Sequence, residues 1–170
     1  NYIALLDADD LWETTFLEEM SCLIRDFPEA SLYGCSWAYL DKNGNKTSNN
    51  YGIKPGFRGY VDNYFSIEEY NTLFNSSSVI LEKKAFYEVG AFDEKLWIGE
   101  DMDLWFRFGL MKKLAFLDKQ LSYYLIDSND RATYRPKDIN HCLIGNLSKF
   151  RDFETTRQDF KRFLDIWRFH

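Results

Sequence analysis

The chain has 170 residues, 45% apolar and 28% charged, a composition that suits one globular domain of ordinary size and excludes a disordered segment. Its net charge of −6 argues against the clustered basic surface that nucleic acid requires, but leaves room for a nucleotide bridged to carboxylates by a divalent cation. No apolar run approaches bilayer length and no signal peptide is visible. Cys22, Cys35 and Cys142 are scattered without metal-type spacing, and read as reduced thiols of a cytosolic compartment. Aromatic residues reach 18%, enough to build a core on large rings and to line a cleft for a flat ligand.

The first element is a short apolar run, Tyr2 to Leu6, which predicts a covered, parallel-type strand. Nothing precedes it but Asn1, which reads as a chain cut within a domain. A helix is predicted from Glu13 to Phe27, stopped by Pro28. Ser31 to Leu40 predicts a second strand, and Asp41-Lys42-Asn43-Gly44-Asn45 a hairpin turn. Residues 46–60 are polar and Gly-rich and predict a loop. Weak helical spacing runs from Tyr60 to Phe74. A strand is predicted at Ser77 to Leu81, then a helix from Lys83 to Val89 capped by Gly90. Asp101 to Met111 predicts a further helix, and Leu114–Leu117 and Leu121–Ile126 two more strands. Residues 127–137 predict a polar loop. From Asp138 onward the pattern is helical, with a break near Arg151 to Thr156.

Two acidic constellations carry chemistry. Asp7, Asp9 and Asp10 follow the first strand, where open α/β sheets bind ligands. Asp7 and Asp9 are spaced to share one hard divalent ion that keeps open positions for phosphate, whereas Asp10 reads as the N-cap of the following helix. The second constellation is Gly99-Glu100-Asp101-Met102-Asp103 at a predicted helix start. There a carboxylate is either a cap in an acidic first turn or a charged, oriented general base. Met102, Trp105, Phe106 and Leu110 form a core stripe, and Arg107 is spaced to pair with Asp103.

Ile3 to Trp12, Asn75 to Lys84, Phe86 to Glu94 and Gly99 to Arg107, taken in order over residues 1 to about 126, resemble family 2 glycosyltransferases of the GT-A fold. The resemblance implies an α/β protein with a GT-A-like mixed sheet flanked by helices. It also implies that the N-terminal nucleotide-binding βα units, roughly 90 residues at about 30 per unit, are absent, leaving this chain inactive by itself. Residues 1–136 would be the C-terminal part of that domain and 137–170 a helical extension. In the family's pattern Asp9 coordinates Mn²⁺ or Mg²⁺, and Asp7 supports the metal or contacts the donor ribose. Asp101, with Glu100 as alternate, is the base of an inverting transfer from a nucleotide sugar, a UDP-sugar by expectation. Trp97, Arg58 and Tyr60 are expected at the acceptor, a saccharide or glycolipid of polysaccharide or glycolipid synthesis. The setting implied is cytoplasmic, at the inner face of a membrane, with peripheral membrane association and self-association of the truncated chain among the expected contacts. The family's Tyr-Arg-x-His-like segment lacks its His here, leaving Arg131 or Arg135 for a phosphate contact.

Two rival readings stand beside it. Leu5 to Asp10 and Glu100 to Asp103 also resemble haloacid-dehalogenase phosphatases, with Asp7 as nucleophile, Asp9 as acid/base, Ser77 on phosphate and Lys83 or Lys84 as the cation. Alternatively Phe160, Phe163, Leu164 and Trp167 form a partner surface on a non-catalytic module.

Overall fold

A computed structural model describes residues 1–48, 52–68, 73–126 and 138–169. Strands β1 (Tyr2–Ala4) and β2 (Leu11–Trp12) flank the first acidic turn, followed by α1 (Phe16–Asp26), β3 (Ala30–Leu40), β4 (Lys46–Ser48), β5 (Arg58–Tyr60) and α2 (Tyr64–Glu68). Then come β6 (Val79–Glu82), α3 (Lys83–Glu88), α4 (Glu100–Met111) and β7 (Lys113–Leu125). Two 3₁₀ segments, Ile139–His141 and Leu143–Phe150, lead into α5 (Arg151–Thr156) and α6 (Gln158–Phe169).

The local chemistry explains several boundaries. In α1, Phe16, Met20 and Leu23 recur at helical spacing and are buried, and Phe27 N–H closes the last turn on Leu23 O before Pro28 removes the next donor. The Asp41–Asn45 turn joins β3 to β4, with Asp41 Oδ1 accepting from the N–H groups of Asn43 and Asn45. Gly90 follows α3 at φ 99°, as its cap reading requires.

The sheet runs β1-β6-β3-β7-β2, with β4 added to β3 and β5 to β7. Because β1 and β3 are each antiparallel to β6, they are parallel to each other, and β3 is parallel to β7. The carboxyl ends of β1, β3 and β7 therefore share one edge. That edge is where the acidic turn sits.

Four sequence expectations are corrected. β1 is an edge strand with Tyr2, Ala4 and Leu6 exposed, not a covered one. Residues 46–60 contribute two short strands rather than a loop throughout. The two strands predicted at 114–126 are one. The polar Asp118-Lys119-Gln120 that seemed to divide them forms an irregularity in β7, where Leu117 lies opposite Cys35 and Gln120 opposite Ser36. Asp118 is held there by the Ser36 hydroxyl (2.6 Å) and the Gly56 N–H (2.8 Å). Finally, Arg151–Thr156 is helical, and the break falls at Arg157.

The segment after 138 does not stand apart. Leu143, Leu147, Phe150, Phe160, Phe163 and Leu164 are buried in the same cluster as Leu32, Phe74, Trp105 and Phe116. The partner surface imagined for those rings is thus turned inward. Ionic contacts tie the same junction: the fully buried Asp103 on α4 meets Arg107 and Lys149 at 2.7 and 2.6 Å, and Lys149 also reaches Asp93. No helix among the described residues is long and apolar enough to cross a membrane.

Candidate active site

The first acidic turn is organised by one residue that sequence reasoning assigned only within the phosphatase reading. Ser77, fully buried ahead of β6, accepts the Asp7 N–H on its hydroxyl at 3.0 Å. Its carbonyl accepts from Trp12 Nε1 (2.6 Å) and from the Ser122 hydroxyl (2.8 Å). Ser77 thus joins the acidic turn, β2 and β7 from beneath, and is occupied as a structural anchor rather than held out to phosphate. Lys83 and Lys84, the alternative cations of that reading, are both exposed, and Lys84 pairs with Glu88 on α3.

Asp10 is also not the helix cap expected. Thr15 precedes α1, while Asp10 is buried ahead of β2 with Oδ1 accepting from Leu125 N–H at 3.3 Å and Oδ2 without a partner among the described residues. Burial foremost pushes its pKa up, against hydrogen bonds from Ser77 and Leu125. Ser77→Ala would remove the Asp7 N–H acceptor and one Asp10 contact together. We expect it to lower unfolding free energy by about 1–3 kcal/mol in urea titration, with far-ultraviolet circular dichroism unchanged. An unaltered midpoint would refute the anchoring role.

Asp7 and Asp9 remain exposed at the strand end, and neither forms an ion pair among the described residues. The Asp7 pKa is raised first by partial desolvation, then by Asp9 and by Glu100. This coupling shows that the two acidic constellations meet although about ninety residues separate them.

The second constellation begins at Gly99, which adopts a left-handed conformation (φ 72°, ψ 20°) ahead of α4. Its position is fixed by short pairing with the 3₁₀ region: Trp97 N–H donates to His141 O (2.8 Å), and Leu143 N–H to Ile98 O (3.0 Å). A Cβ on Gly99 would lie 2.9 Å from Leu143 Cβ. Asp101 follows, Oδ1 accepting from Met102 N–H at 2.7 Å. Burial pushes the Asp101 carboxyl up to about 6, with Glu100 and Asp7 adding to the rise.

Asp101 opens onto a cavity of about 550 Å³, within the roughly 300–1,000 Å³ of small-molecule sites. Trp37 and Tyr39 at the end of β3, Tyr124 at the end of β7, Phe74, Leu143 and Trp167 give it a mostly aromatic wall. Asn75 also lines it, with a side-chain nitrogen that finds no partner among the described residues. Of these residues only Trp167 was singled out from sequence, and in another role. Their shared signal is an aromatic ending each of two parallel strands, visible only once the pairing is known.

The structure brings Asp7, Asp9, Glu100 and Asp101 to one edge. Trp97 directly precedes the cavity-lining Ile98 and is 65% exposed rather than core. Arg58 and Tyr60 are not brought there. They pair with Leu117 and Ala115 in the first half of β7, on the order of 20 Å of strand from its carboxyl end. Arg58 is held by Asp26 at 2.7 Å, and Tyr60 packs edge-on against Phe27. The acceptor expectation for both is corrected accordingly. Arg131 and Arg135 lie outside the described residues.

For a metal, no group of three His, Cys, Asp or Glu among the described residues forms a ready cage. Two unpaired carboxylates fit a hard cation that takes few protein ligands and fills the rest of its shell with phosphate oxygens and water.

A mixed sheet thus carries acidic residues at its carboxyl edge and a carboxylate beside an aromatic cavity, where ligands of open α/β sheets bind. The chain belongs to the glycosyltransferase like family 2, which it matches over residues 1–163, well past the last strand into α6. Its fold is similar to that of S. aureus TarS residues 1–349, solved in complex with UDP-GlcNAc, with a TM-score of 0.58, 15% identity, and coverage of 81% of this chain and 38% of that one. The architecture is accordingly GT-A-like, and the chain spans 38% of the length of that neighbour. No curated protein matches the chain.

Proposed function

We propose that this chain carries the acceptor side of an inverting glycosyltransferase that moves a sugar from a nucleotide diphosphosugar to a hydroxyl of a saccharide or glycolipid. The observation that supports it most is Asp101, a carboxylate raised to about 6, fixed at a helix start, lining an aromatic cavity and feeling the charge of Asp7. Above that pH Asp101 is ionised and can accept the acceptor hydroxyl proton as the oxygen attacks the anomeric carbon. Glu100 raises the proton affinity of Asp101 and is the alternate base. Aromatic walls lie beside the ionised base, and the Asn75 nitrogen, without a partner among the described residues, can orient an acceptor oxygen. Asp7 and Asp9 would hold Mn²⁺ or Mg²⁺, which supplies charge stabilisation for the departing diphosphate. The neighbour's UDP-GlcNAc supports a UDP-sugar as donor.

The test is transfer from a panel of nucleotide sugars by the full-length protein, with UDP binding followed calorimetrically. Asp9→Asn is expected to abolish transfer and to lose the Mn²⁺-dependent part of UDP affinity. The loss should be at least the roughly 10–100-fold that follows removal of even an outer-sphere metal partner. Metal-independent UDP binding in both proteins would overturn the metal assignment, and turnover of a phosphate ester through Asp7 would overturn the transferase reading.

A further inference from the structure

Trp97 is the most exposed large apolar side chain among those described, yet it is not loose. Its indole lies flat on the His141 imidazole, ring centroids 4.3 Å apart and planes within 7°. The backbone fixes both partners, since Trp97 N–H donates to His141 O and Ile98 bridges Cys142. His141 Nδ1 lies 2.9 Å from Lys95 O. A carbonyl only accepts, so Nδ1 carries the proton and the imidazole is held from its edge. One indole face is thereby covered and the other left open to solvent.

We propose that the Trp97–His141 pair is a stacking platform for a pyranose ring of the acceptor, and that the acceptor is a glycan of two or more sugars. This rests on the reading of Asp101 as the base. The residues that follow each partner, Ile98 and Cys142, line the cavity with Asp101, whereas the two rings stand outside it. A sugar on the open indole is thus a neighbour of the unit whose hydroxyl meets Asp101, not that unit itself. The C–H-rich face of a pyranose complements the electron-rich indole face, and a ring already immobilised by His141 loses little freedom on binding. Trp97 touches the substrate, and His141 is a positioning residue.

The test uses the full-length protein on an array of immobilised mono- to hexasaccharides, then transfer to the best-bound glycan and its shorter homologues. The wild type is expected to retain glycans of two or more units, and Trp97→Ala to lose them. In transfer, Trp97→Ala should raise KM for the longer acceptor about tenfold, in line with one aromatic stacking contact. Its kcat and its donor hydrolysis should stay within about twofold of wild type by the same reasoning, because the platform lies outside the cavity. His141→Phe, which keeps a flat ring beneath the indole, should retain wild-type KM, and His141→Ala should behave as Trp97→Ala. No glycan retained by the wild type, or equal retention by Trp97→Ala, overturns the platform. Full transfer by Asp101→Asn would instead overturn the underlying reading, so the two failures are separable.

Discussion

Asp101→Asn is expected to lower transfer by roughly 10²–10⁴-fold, the usual worth of a general base, while making the fold more stable at neutral pH and above. The cause is the same for both effects. Burial lifts the Asp101 carboxyl from its ordinary 3.8 to about 6, so the folded chain binds that proton more tightly than the unfolded chain does. A raised carboxyl supports folding fully below pH 3.8, and this support is lost as pH rises through about 6. Above that, the ionised and partly desolvated group opposes folding by up to about 3 kcal/mol, at 1.36 kcal/mol for each factor of ten in proton affinity. Asparagine keeps the acceptor for Met102 N–H and carries no charge. Urea unfolding of both proteins at pH 4 and pH 8 checks the sign: the gap should be small at pH 4 and favour the variant at pH 8. In the wild type, kcat/KM should rise through pH 6 to a plateau, and a flat profile from pH 5 to 8 would contradict Asp101 as base.

Gly99→Ala should damage both stability and turnover without altering any charged group. A left-handed conformation costs a residue with a side chain about 1–2 kcal/mol, and here the added carbon also meets Leu143 Cβ at 2.9 Å. The summed loss is expected at about 1–3 kcal/mol, since only the contact can relax. Relaxation must move either Leu143 or the start of α4, and α4 carries Asp101. Misplacement of a reacting group by about 1 Å can reduce kcat/KM about 100-fold. Leu143→Ala should not rescue the variant, because alanine keeps the Cβ that the added carbon meets. Wild-type kcat/KM in Gly99→Ala would show that α4 need not start at this angle.

What could be read from sequence was what neighbouring residues decide. The Asp41–Asn45 hairpin, the Gly90 cap, the start of α4 and the Asp103–Arg107 pair each depend on spacings of a few residues, and each is present. The meeting of the two acidic constellations was legible only through the ordered motifs of a family. What failed depends on partners far along the chain. Asp10 looks like a cap until Leu125, 115 residues away, supplies the N–H that holds it. Arg58 and Tyr60 look like cleft residues beside glycines, but β5 pairs with the opposite half of β7 and carries them away. The aromatic walls come from the ends of two strands and the last helix, and no local pattern joins Trp37, Tyr124 and Trp167.

The aromatic cavity has walls of two different origins. Asp101 stands at the start of α4, and the rings of Trp37, Tyr39 and Tyr124 belong to β3 and β7, whose pairing fixes them closely. Cys142, Leu143, Ile144 and Trp167 come from the tail after residue 138, which is joined to the rest by side-chain packing, by the Lys149 ion pairs to Asp93 and Asp103, and by backbone pairing at Trp97 and Ile98. Substitutions at Ile144 or Trp167 can therefore reshape the cavity wall one side chain at a time without touching the backbone pairing at Trp97 and Ile98. A chimera that exchanges residues 138–169 between two members is the construction in which acceptor choice should travel with the tail.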